Sequence, residues 1–325
     1  MIRYDKKMKL LLIDFPNPKS PRALRPHHIE KVKKLLKRGD ELVIALSAKE
    51  TDADIIAGFP NEVATLGMPK NVRWIHSFSA GVNKFLTPEL VKSPIIVSNS
   101  AGIHAIPIAE HVLGMLLMFA RLFHITLYNQ EQKRWEPQEN IQELNGKTIL
   151  IVGLGHIGNE VARLCHAFGA HVLAITKTKK KKTANVDELK TLEHLDSFLD
   201  RADFVVLCLP YTKDTHHLFD IKKFTRMKPS AVIINIGRGS VINEHDLIYA
   251  LKQKIIAGAG LDVTEIEPLP KTNPLWEMEN VILTPHHSGL SEKYMDRAIE
   301  VFIKNLKAFR SNKNLPSQID KEKGY

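Results

Sequence analysis

The stretch Ile149–Gly158, which reads Ile-Leu-Ile-Val-Gly-Leu-Gly-His-Ile-Gly, decides the fold of the chain around it. Its apolar start is typical of a strand buried in a parallel sheet. Three glycines follow at once, and residues 159–168 then carry apolar side chains at helical spacing. Residues 171–176 are typical of a second strand. The order strand, Gly-x-Gly-x-x-Gly, helix, strand predicts a dinucleotide-binding unit.

Each glycine of this unit has its own physical role. The first permits a tight turn, the second lets a pyrophosphate approach the backbone, and the third lets the helix pack closely on the strand. The N-terminus of the helix adds free N–H groups and the positive end of its dipole. The predicted pyrophosphate site comprises Gly153, Gly155, His156, Ile157 and Gly158.

Composition favours a globular protein of two ordinary domains. The chain has 325 residues, of which 44% are hydrophobic, and its two cysteines lie within apolar segments. The net charge of +10 indicates either attraction of anions or a lysine-coated surface. We see neither a signal peptide nor an apolar stretch long enough to span a membrane. We therefore expect a cytoplasmic protein without a membrane or nucleic-acid partner.

Two series of alternating strands and helices predict two parallel sheets, each covered on both faces. The first series has strands near residues 8–14, 42–46, 53–57, 72–78 and 95–98. The second has strands near residues 148–152, 171–176, 204–209, 231–236, 257–263 and 281–284. We predict helices at residues 107–127, 189–199, 243–251 and 292–309, with Asn243 as the N-cap of the third.

Three ionisable residues follow predicted strands of the second series, where ligands bind in open parallel sheets. Arg238 stands between two glycines, and its guanidinium suits a carboxylate. His286 can give or take a proton near neutral pH, and Glu267 beside it would stabilise the imidazolium and fix its tautomer. Together they suit reduction of a 2-oxo acid by a nicotinamide.

Two further stretches keep more than one interpretation. Ser79, Ala80 and Gly81 follow a strand, and they form either an anion-binding loop or an ordinary turn. Glu110 and His111 begin the predicted long helix, where a solvated or capping pair is the simpler interpretation. His104 and His111 lack a third ligand at suitable spacing, so we expect no metal site.

The chain resembles the D-isomer-specific 2-hydroxyacid dehydrogenase family between about residues 75 and 306. The resemblance rests on several motifs in family order: Ser79-Ala80-Gly81-Val82, Ile108-Ala109-Glu110-His111, Leu209-Pro210, Asn235-Ile236-Gly237-Arg238-Gly239, Glu267-Pro268-Leu269-Pro270 and Thr284-Pro285-His286. It implies a Rossmann cofactor domain at residues 101–289. It also implies a discontinuous, flavodoxin-like substrate-binding domain at residues 1–100 and 290–325.

The same resemblance implies roles for individual residues. Arg238, Glu267 and His286 would be catalytic, and the substrate would contact Ser79, Ala80, Gly81, Arg238 and His286. Leu209, Pro210 and Asp262 would lie near the nicotinamide end of the cofactor, and Ile236 and Gly237 would also contact the cofactor. The family's dimers form largely through the cofactor domains, so a homodimer is implied.

Two local choices follow from these motifs. His286 rather than His287 takes the acid's role because it directly follows Thr-Pro, and Glu267 rather than Glu265 precedes Pro-Leu-Pro. The substrate stays open, with glyoxylate and hydroxypyruvate as short candidates. The alternative function is a nucleotide-sensing interaction protein, as in the family's corepressor branch, although we expect no long disordered flanks in this chain.

The end of the second strand of this unit predicts the cofactor. NAD sites place an acidic residue about 20 residues beyond the glycine motif to bind the ribose 2′-OH. Here Thr176 stands at that place, and Lys177, Thr178 and lysines 179–182 follow. Some of these lysines are explained by an exposed loop, but the missing acid is not. We predict that NADP is preferred over NAD, with Thr176, Lys177 and Thr178 nearest the 2′-phosphate.

Overall fold

The structure is a computed structural model that describes residues 7–46, 52–65, 71–82, 84–178 and 183–322. Its strands are, in chain order, β1 (Lys9–Ile13), β2 (Glu41–Ala45), β3 (Ile55–Gly58), β4 (Trp74–Ser77), β5 (Ile96–Ser98), β6 (Thr148–Val152), β7 (His171–Thr176), β8 (Glu188–Thr191), β9 (Phe204–Leu207), β10 (Val232–Asn235), β11 (Gly258–Leu261) and β12 (Val281–Leu283). Its α-helices are α1 (Pro26–Lys33), α2 (Pro60–Ala64), α3 (Pro88–Lys92), α4 (Ala105–Ala120), α5 (Phe123–Glu131), α6 (His156–Ala167), α7 (Leu195–Leu199), α8 (Ile221–Phe224), α9 (Glu244–Lys252) and α10 (Tyr294–Arg310).

The chain divides into two compact units, each with one parallel sheet. The first unit comprises Met1–His104 with Leu290–Tyr325, and the second comprises Ala105–Gly289. The boundaries predicted from the sequence lie at residues 100 and 290. The assignment of substrate binding to one part and cofactor binding to the other remains a prediction.

The sheet of the first unit has the strand order β2-β1-β3-β4-β5, with all neighbours parallel. This is the flavodoxin-like order, and it confirms the predicted fold of this part. Leu10 and Leu12 pack with α10 on one face, whereas Leu11 and Ile13 belong to the core on the other. Alternate side chains of β1 are thus buried on both faces, as in a doubly wound sheet.

The sheet of the second unit has the order β12-β11-β10-β9-β6-β7-β8, again wholly parallel. The strand that precedes the three glycines, β6, lies between β7 and β9, so the strand order reverses beside it. Such a switch point is where open α/β sheets bind their ligands. The predicted Rossmann fold is therefore confirmed.

The helix predicted at residues 107–127 is wrong, because two helices occupy this stretch. α4 ends at Ala120, α5 begins at Phe123, and their axes differ by 70°. Leu122 adopts φ 54°, a left-handed conformation that ends an α-helix. The His124 ring donates to the Met118 carbonyl at 3.1 Å, which satisfies an acceptor that the end of α4 leaves free.

The helix predicted at residues 189–199 is wrong over its first half. Glu188–Thr191 form β8, which pairs with β7, and the α-helix begins only at Leu195. Leu189 packs against the core of this sheet. Pairing with the exposed edge of β7 outweighs the helical spacing of the leucines, because backbone groups at an open edge gain hydrogen bonds from another strand.

Among the described residues, no single helix is long and apolar enough to cross a membrane. α4 and α5 pass that test of length and composition only when they are taken together, despite the bend between them.

Candidate active site

The second sheet brings the predicted catalytic residues to one edge. β10, β11 and β12 are adjacent and parallel, so their carboxyl ends lie together. Arg238 follows β10, Glu267 follows β11, and His286 follows β12. The loops after three neighbouring strands therefore carry the three side chains.

His286 and Glu267 are in direct contact. His286 Nδ1 lies 2.8 Å from Glu267 Oε2, and because a carboxylate only accepts, Nδ1 is the donor. The other carboxylate oxygen accepts from the Thr264 amide at 3.2 Å. This arrangement fixes the orientation of the ring and leaves Nε2 to exchange a proton with a ligand. The imidazole is accessible for that purpose, with 53% of its side chain exposed.

The backbone at His286 is strained in a way that supports this orientation. Its φ is 50°, in the left-handed region that residues other than glycine rarely adopt. Its amide donates to the carbonyls of Asp262 and Thr284, at 2.9 and 3.0 Å. Strained backbone that its surroundings hold in this way is often part of a functional site.

The neighbouring carboxylate, Glu265, has other partners. Its Oε1 lies 2.6 Å from His217 Nε2, and its Oε2 accepts from the Glu244 amide at 3.3 Å. Glu265 is thereby tied to the start of α9. Of the two glutamates, the structure brings Glu267 to His286.

Close backbone packing explains the two glycines beside Arg238. A Cβ on Gly237 would lie 2.5 Å from the Leu209 carbonyl oxygen, and one on Gly239 would lie 1.9 Å from that of Thr264. The Arg238 side chain is exposed and donates to the Gly237 carbonyl at 2.7 Å. The loop after β10 thus packs closely against two neighbouring loops, and the Arg238 guanidinium is exposed to solvent.

Asn235 holds this turn from within the sheet, a role that the sequence analysis missed. It is buried, its amide donates to the Arg238 carbonyl at 3.0 Å, and its oxygen accepts from the Gly237 amide at 3.1 Å. An asparagine at the end of an apolar strand was the available signal, because a buried amide must find hydrogen-bond partners.

Asp262 is buried beneath the loop that carries His286. Its carboxylate accepts from the Thr284 hydroxyl at 2.7 Å, from the His287 amide at 3.0 Å, and from the amide and hydroxyl of Ser288. Although burial opposes ionisation, these hydrogen bonds lower the pKa of the carboxyl group. The structure therefore places Asp262 as a support of the 284–288 loop. Its predicted contact with the nicotinamide remains a prediction.

His111 extends this network from α4. Its Nε2 lies 3.1 Å from the Thr284 hydroxyl, which itself donates to Asp262, so the imidazole is the donor. Burial is the main reason that the pKa of His111 is lowered. The solvated pair suggested by the sequence is thus wrong for His111. Its partner lies 173 positions away, and pairing at that distance leaves no local signal.

Two groups of potential metal ligands occur in the described part of the chain. One consists of His111, Asp262 and His287, and the other of His27, His28 and Asp296. The oxygens of Asp262 already accept from protein donors, as described above. His28 Nδ1 accepts from the Arg25 amide at 2.9 Å, so its Nε2 carries the proton and donates to Asp296. Both groups are therefore explained by hydrogen bonding within the protein.

The glycine loop after β6 fits a bound pyrophosphate. Gly153 has φ 106°, and a Cβ there would lie 2.7 Å from the Cys208 carbonyl oxygen. A Cβ on Gly158 would lie 2.1 Å from the Gly153 carbonyl oxygen, so α6 and the loop pack closely. At Gly155 a Cβ would meet no protein atom within 4 Å. That open space, at the N-terminus of α6, is where phosphates approach the backbone.

The other residues predicted to contact the cofactor lie at the same edge of the sheet. His156 and Ile157 form the first turn of α6 beside the glycine loop. Leu209 and Pro210 follow β9 after Cys208, and Ile236 directly follows β10. Since β6 and β9 are neighbours, these residues flank the switch point.

The end of β7 carries the predicted determinants of cofactor choice. The Thr176 side chain is buried, and its hydroxyl donates to the Thr178 carbonyl at 2.8 Å. Lys177 Nζ donates to Asp214 Oδ2 at 2.8 Å across exposed surface. Lysines 179–182 lie outside the described residues.

The predicted carboxylate loop, Ser79–Gly81, follows β4 in the first unit. Two of its carbonyls accept hydrogen bonds from the segment after β5. The Ser100 amide donates to the Ser79 carbonyl at 3.2 Å, and the Asn99 side chain donates to the Ala80 carbonyl at 2.8 Å. The C=O and N–H of a trans peptide point to opposite sides, so the amides of Ala80 and Gly81 face away from these donors. Neither amide has a partner among the described residues. Two neighbouring free amides favour an anion-binding loop over an ordinary turn.

The chain is similar in sequence to known proteins. A model of the family "D-isomer specific 2-hydroxyacid dehydrogenase, NAD binding domain" matches residues 113–288. A glyoxylate reductase from Thermofilum pendens is 32% identical over 290 residues, which cover 88% of this chain and 83% of that protein.

Solved structures agree over nearly the whole chain. A D-isomer specific 2-hydroxyacid dehydrogenase family protein from Aeromonas salmonicida has a TM-score of 0.85 and 31% identity, with 97% of this chain and 100% of that chain covered. A D-isomer specific 2-hydroxyacid dehydrogenase from Xanthobacter autotrophicus, in complex with NADPH and MES, has a TM-score of 0.82 and 25% identity, with 98% and 100% covered.

Proposed function

The chain belongs to the D-isomer-specific 2-hydroxyacid dehydrogenase family, and we propose that it reduces a small 2-oxo acid, such as glyoxylate or hydroxypyruvate, to the D-2-hydroxy acid. It is a nicotinamide-dependent oxidoreductase that acts on the CH–OH group of donors. The observation that carries the proposal is the 2.8 Å contact between His286 Nδ1 and Glu267 beside a nucleotide-binding switch point. The glyoxylate reductase of Thermofilum pendens supports a short substrate.

Individual residues of the site have different roles in the reaction. A reduced nicotinamide held at the glycine loop would supply a hydride to the carbonyl carbon of the substrate. His286 supplies the proton to the carbonyl oxygen from Nε2, since Nδ1 is held by Glu267. Arg238 holds the substrate carboxylate and polarises the adjacent carbonyl. In the first unit, the free amides of Ala80 and Gly81 suit a carboxylate.

A panel of 2-oxo acids tests this proposal. We expect oxidation of NADPH, followed by its absorbance, with glyoxylate or hydroxypyruvate, and we expect the product to be the D isomer. If no 2-oxo acid supports turnover with either reduced cofactor, the proposal is wrong and a nucleotide-sensing role takes its place.

We also propose that NADPH is preferred over NADH. The support for this is Thr176 at the end of β7, because an acidic residue there would repel a 2′-phosphate and a neutral one does not. The Thr176 hydroxyl donates within its own turn, so Lys177 and the Thr178 hydroxyl are the nearest donors. Asp214 competes with the phosphate for Lys177.

The kcat/KM values for the two cofactors provide the measurement. We expect the value for NADPH to exceed that for NADH, and Thr176→Asp to reverse the order. Asp214→Asn should strengthen the binding of NADPH more than the binding of NADH, as measured by the fluorescence of the bound reduced cofactor. At least a tenfold preference of the wild-type enzyme for NADH would contradict the proposal.

A further inference from the structure

Two arginines of the first unit are half-buried and have no carboxylate partner among the described residues. Arg22 lies in the loop after β1, and Arg297 lies on α10. By contrast, the guanidinium of Arg25, also half-buried, donates to backbone carbonyls, and Arg310 pairs with Asp40. In the described ranges, no carboxylate forms an ion pair with Arg22 or Arg297. A half-buried guanidinium that no carboxylate neutralises suits an anionic ligand.

Arg22 is the more enclosed of the two. Its guanidinium carbon lies 5.5 Å from the ring centre of Phe15 and 5.9 Å from that of Tyr294. Its Nε is buried and has no hydrogen-bond partner among the described residues. A buried donor without a partner is rare in folded proteins and calls for an acceptor.

His104 packs against the same tyrosine ring as Arg22. Burial, together with the positive charges of Arg22 and Arg297, lowers the pKa of His104 to about 4. Its ring centre lies 5.2 Å from that of Tyr294. The imidazole is therefore neutral at physiological pH and offers an N–H donor rather than a third positive charge.

Tyr294 connects this cluster to the carboxylate loop. Its ring contacts Arg22 and His104, and its hydroxyl donates to the Phe78 carbonyl at 3.2 Å, one residue before Ser79. The cluster and the free amides of the loop thus lie beside each other within the first unit. A ligand whose carboxylate occupies the loop has a second anion-binding group within reach.

We propose that Arg22, His104 and Arg297 form a subsite for a second anionic group of the substrate. The substrate class is then a 2-oxo acid with a further carboxylate or phosphate, and this inference rests on the proposed function. A guanidinium suits either group, because both present paired oxygens to its N–H donors.

Matched substrate pairs test the subsite. We compare oxaloacetate with 2-oxobutyrate, 2-oxoglutarate with 2-oxovalerate, and phosphohydroxypyruvate with hydroxypyruvate, by kcat/KM with NADPH. We expect at least one dianion to exceed its partner by tenfold or more. The first two pairs report on a second carboxylate and the third on a phosphate.

Arginine variants locate the preference. In Arg297→Gln and, separately, in Arg22→Gln, the ratio of dianion to monoanion should fall at least tenfold, mainly through KM. Arg201→Gln removes an equal charge from an exposed ion pair of the second unit and should leave the ratio unchanged. A ratio of kcat/KM values does not depend on the amount of folded enzyme, so the test stays valid if a variant is less stable. If one of the two arginine variants fails to fold, the other variant still provides the test.

The outcomes separate this inference from the function on which it rests. Absence of turnover with every 2-oxo acid overturns the proposed function. Turnover without any preference for a dianion, or a preference that persists in both arginine variants, overturns the subsite alone. A ratio that falls equally in Arg201→Gln would assign the preference to net charge and also overturn the subsite.

Discussion

At the scale of single residues, two glutamates separated by one position have different partners. Glu267 contacts His286, whereas Glu265 contacts His217 and the start of α9. Glu267→Gln removes the charge that stabilises a protonated His286 and replaces a carboxylate, which only accepts hydrogen bonds, by an amide that can also donate, so kcat should fall. Glu265→Gln makes the same chemical change two residues away, and we expect at least a tenfold smaller loss of kcat with saturating cofactor.

His286→Ala sets the scale for this comparison. Loss of a general acid costs about 10²- to 10⁴-fold in rate, so this variant should be at least as impaired as Glu267→Gln. His245→Ala, at a side chain that is 93% exposed, serves as the control. Equal losses in the two glutamine variants would refute the assignment of Glu267.

At the scale of elements, the sequence determined most of the fold and the residues at the strand ends. The predicted strands 148–152 and 171–176 agree with β6 and β7, and Asn243 caps α9 as predicted. These features are local, because apolar period, glycine spacing and cap chemistry lie within a few residues of each other. The bend at Leu122 was missed because no glycine or proline marks it in the sequence. The edge strand β8 was missed because it depends on a tertiary contact, the pairing with β7. The contact of His111 with Thr284 was missed for the same reason.

The C-terminus of α9 offers an element-scale prediction. Lys254 has φ 55° and is exposed, and the Ile255 amide donates to the Ala250 carbonyl at 2.8 Å, as in a Schellman motif. Glycine is favoured at this left-handed position, so Lys254→Gly should raise the unfolding free energy by about 1 kcal/mol. Lys252→Gly, within the last turn of α9, should lower it by a similar amount. Urea titration of both variants measures the difference, and a loss of stability in Lys254→Gly would contradict the assigned motif.

At the scale of the whole molecule, exposed apolar side chains of residues 123–141 indicate how two copies would associate. Phe123 and Leu127 lie on one face of α5 with about half of each exposed, and Trp135 is 97% exposed. Large exposed aromatic groups are typical of interfaces, and we propose a homodimer through this region. Light scattering should give twice the chain mass of 36.8 kDa. Trp135→Glu should shift the protein towards monomer, whereas Tyr249→Glu, on the exposed side of α9, should not. A wild-type monomer at micromolar concentration would refute the dimer.

The stability of the whole chain should depend on pH through buried imidazoles. His76 on β4 is fully buried between the Ser98 and Ser100 hydroxyls, and burial lowers its pKa to about 3. An unfolded histidine titrates near 6.5, so between these values the unfolded chain binds the extra proton and stability falls as pH falls. The contribution is complete above the unfolded pKa and decreases by about 1.4 kcal/mol for each pH unit below it.

Urea titrations at pH 5.0, 6.0 and 7.5, followed by the fluorescence of buried Trp74, measure this slope. The range avoids the carboxyl groups of Asp40 and Asp296, whose pKa values are lowered mainly by hydrogen bonds that outweigh burial and which therefore titrate below it. His76→Gln should be less stable than wild type at pH 7.5, but its stability should decrease less from pH 6.0 to pH 5.0, by about 1 kcal/mol. His245→Gln, at an exposed position, should retain the wild-type slope because its imidazole is solvated in both states. Equal slopes in His76→Gln and wild type would show that His76 is not the group that couples folding to protonation.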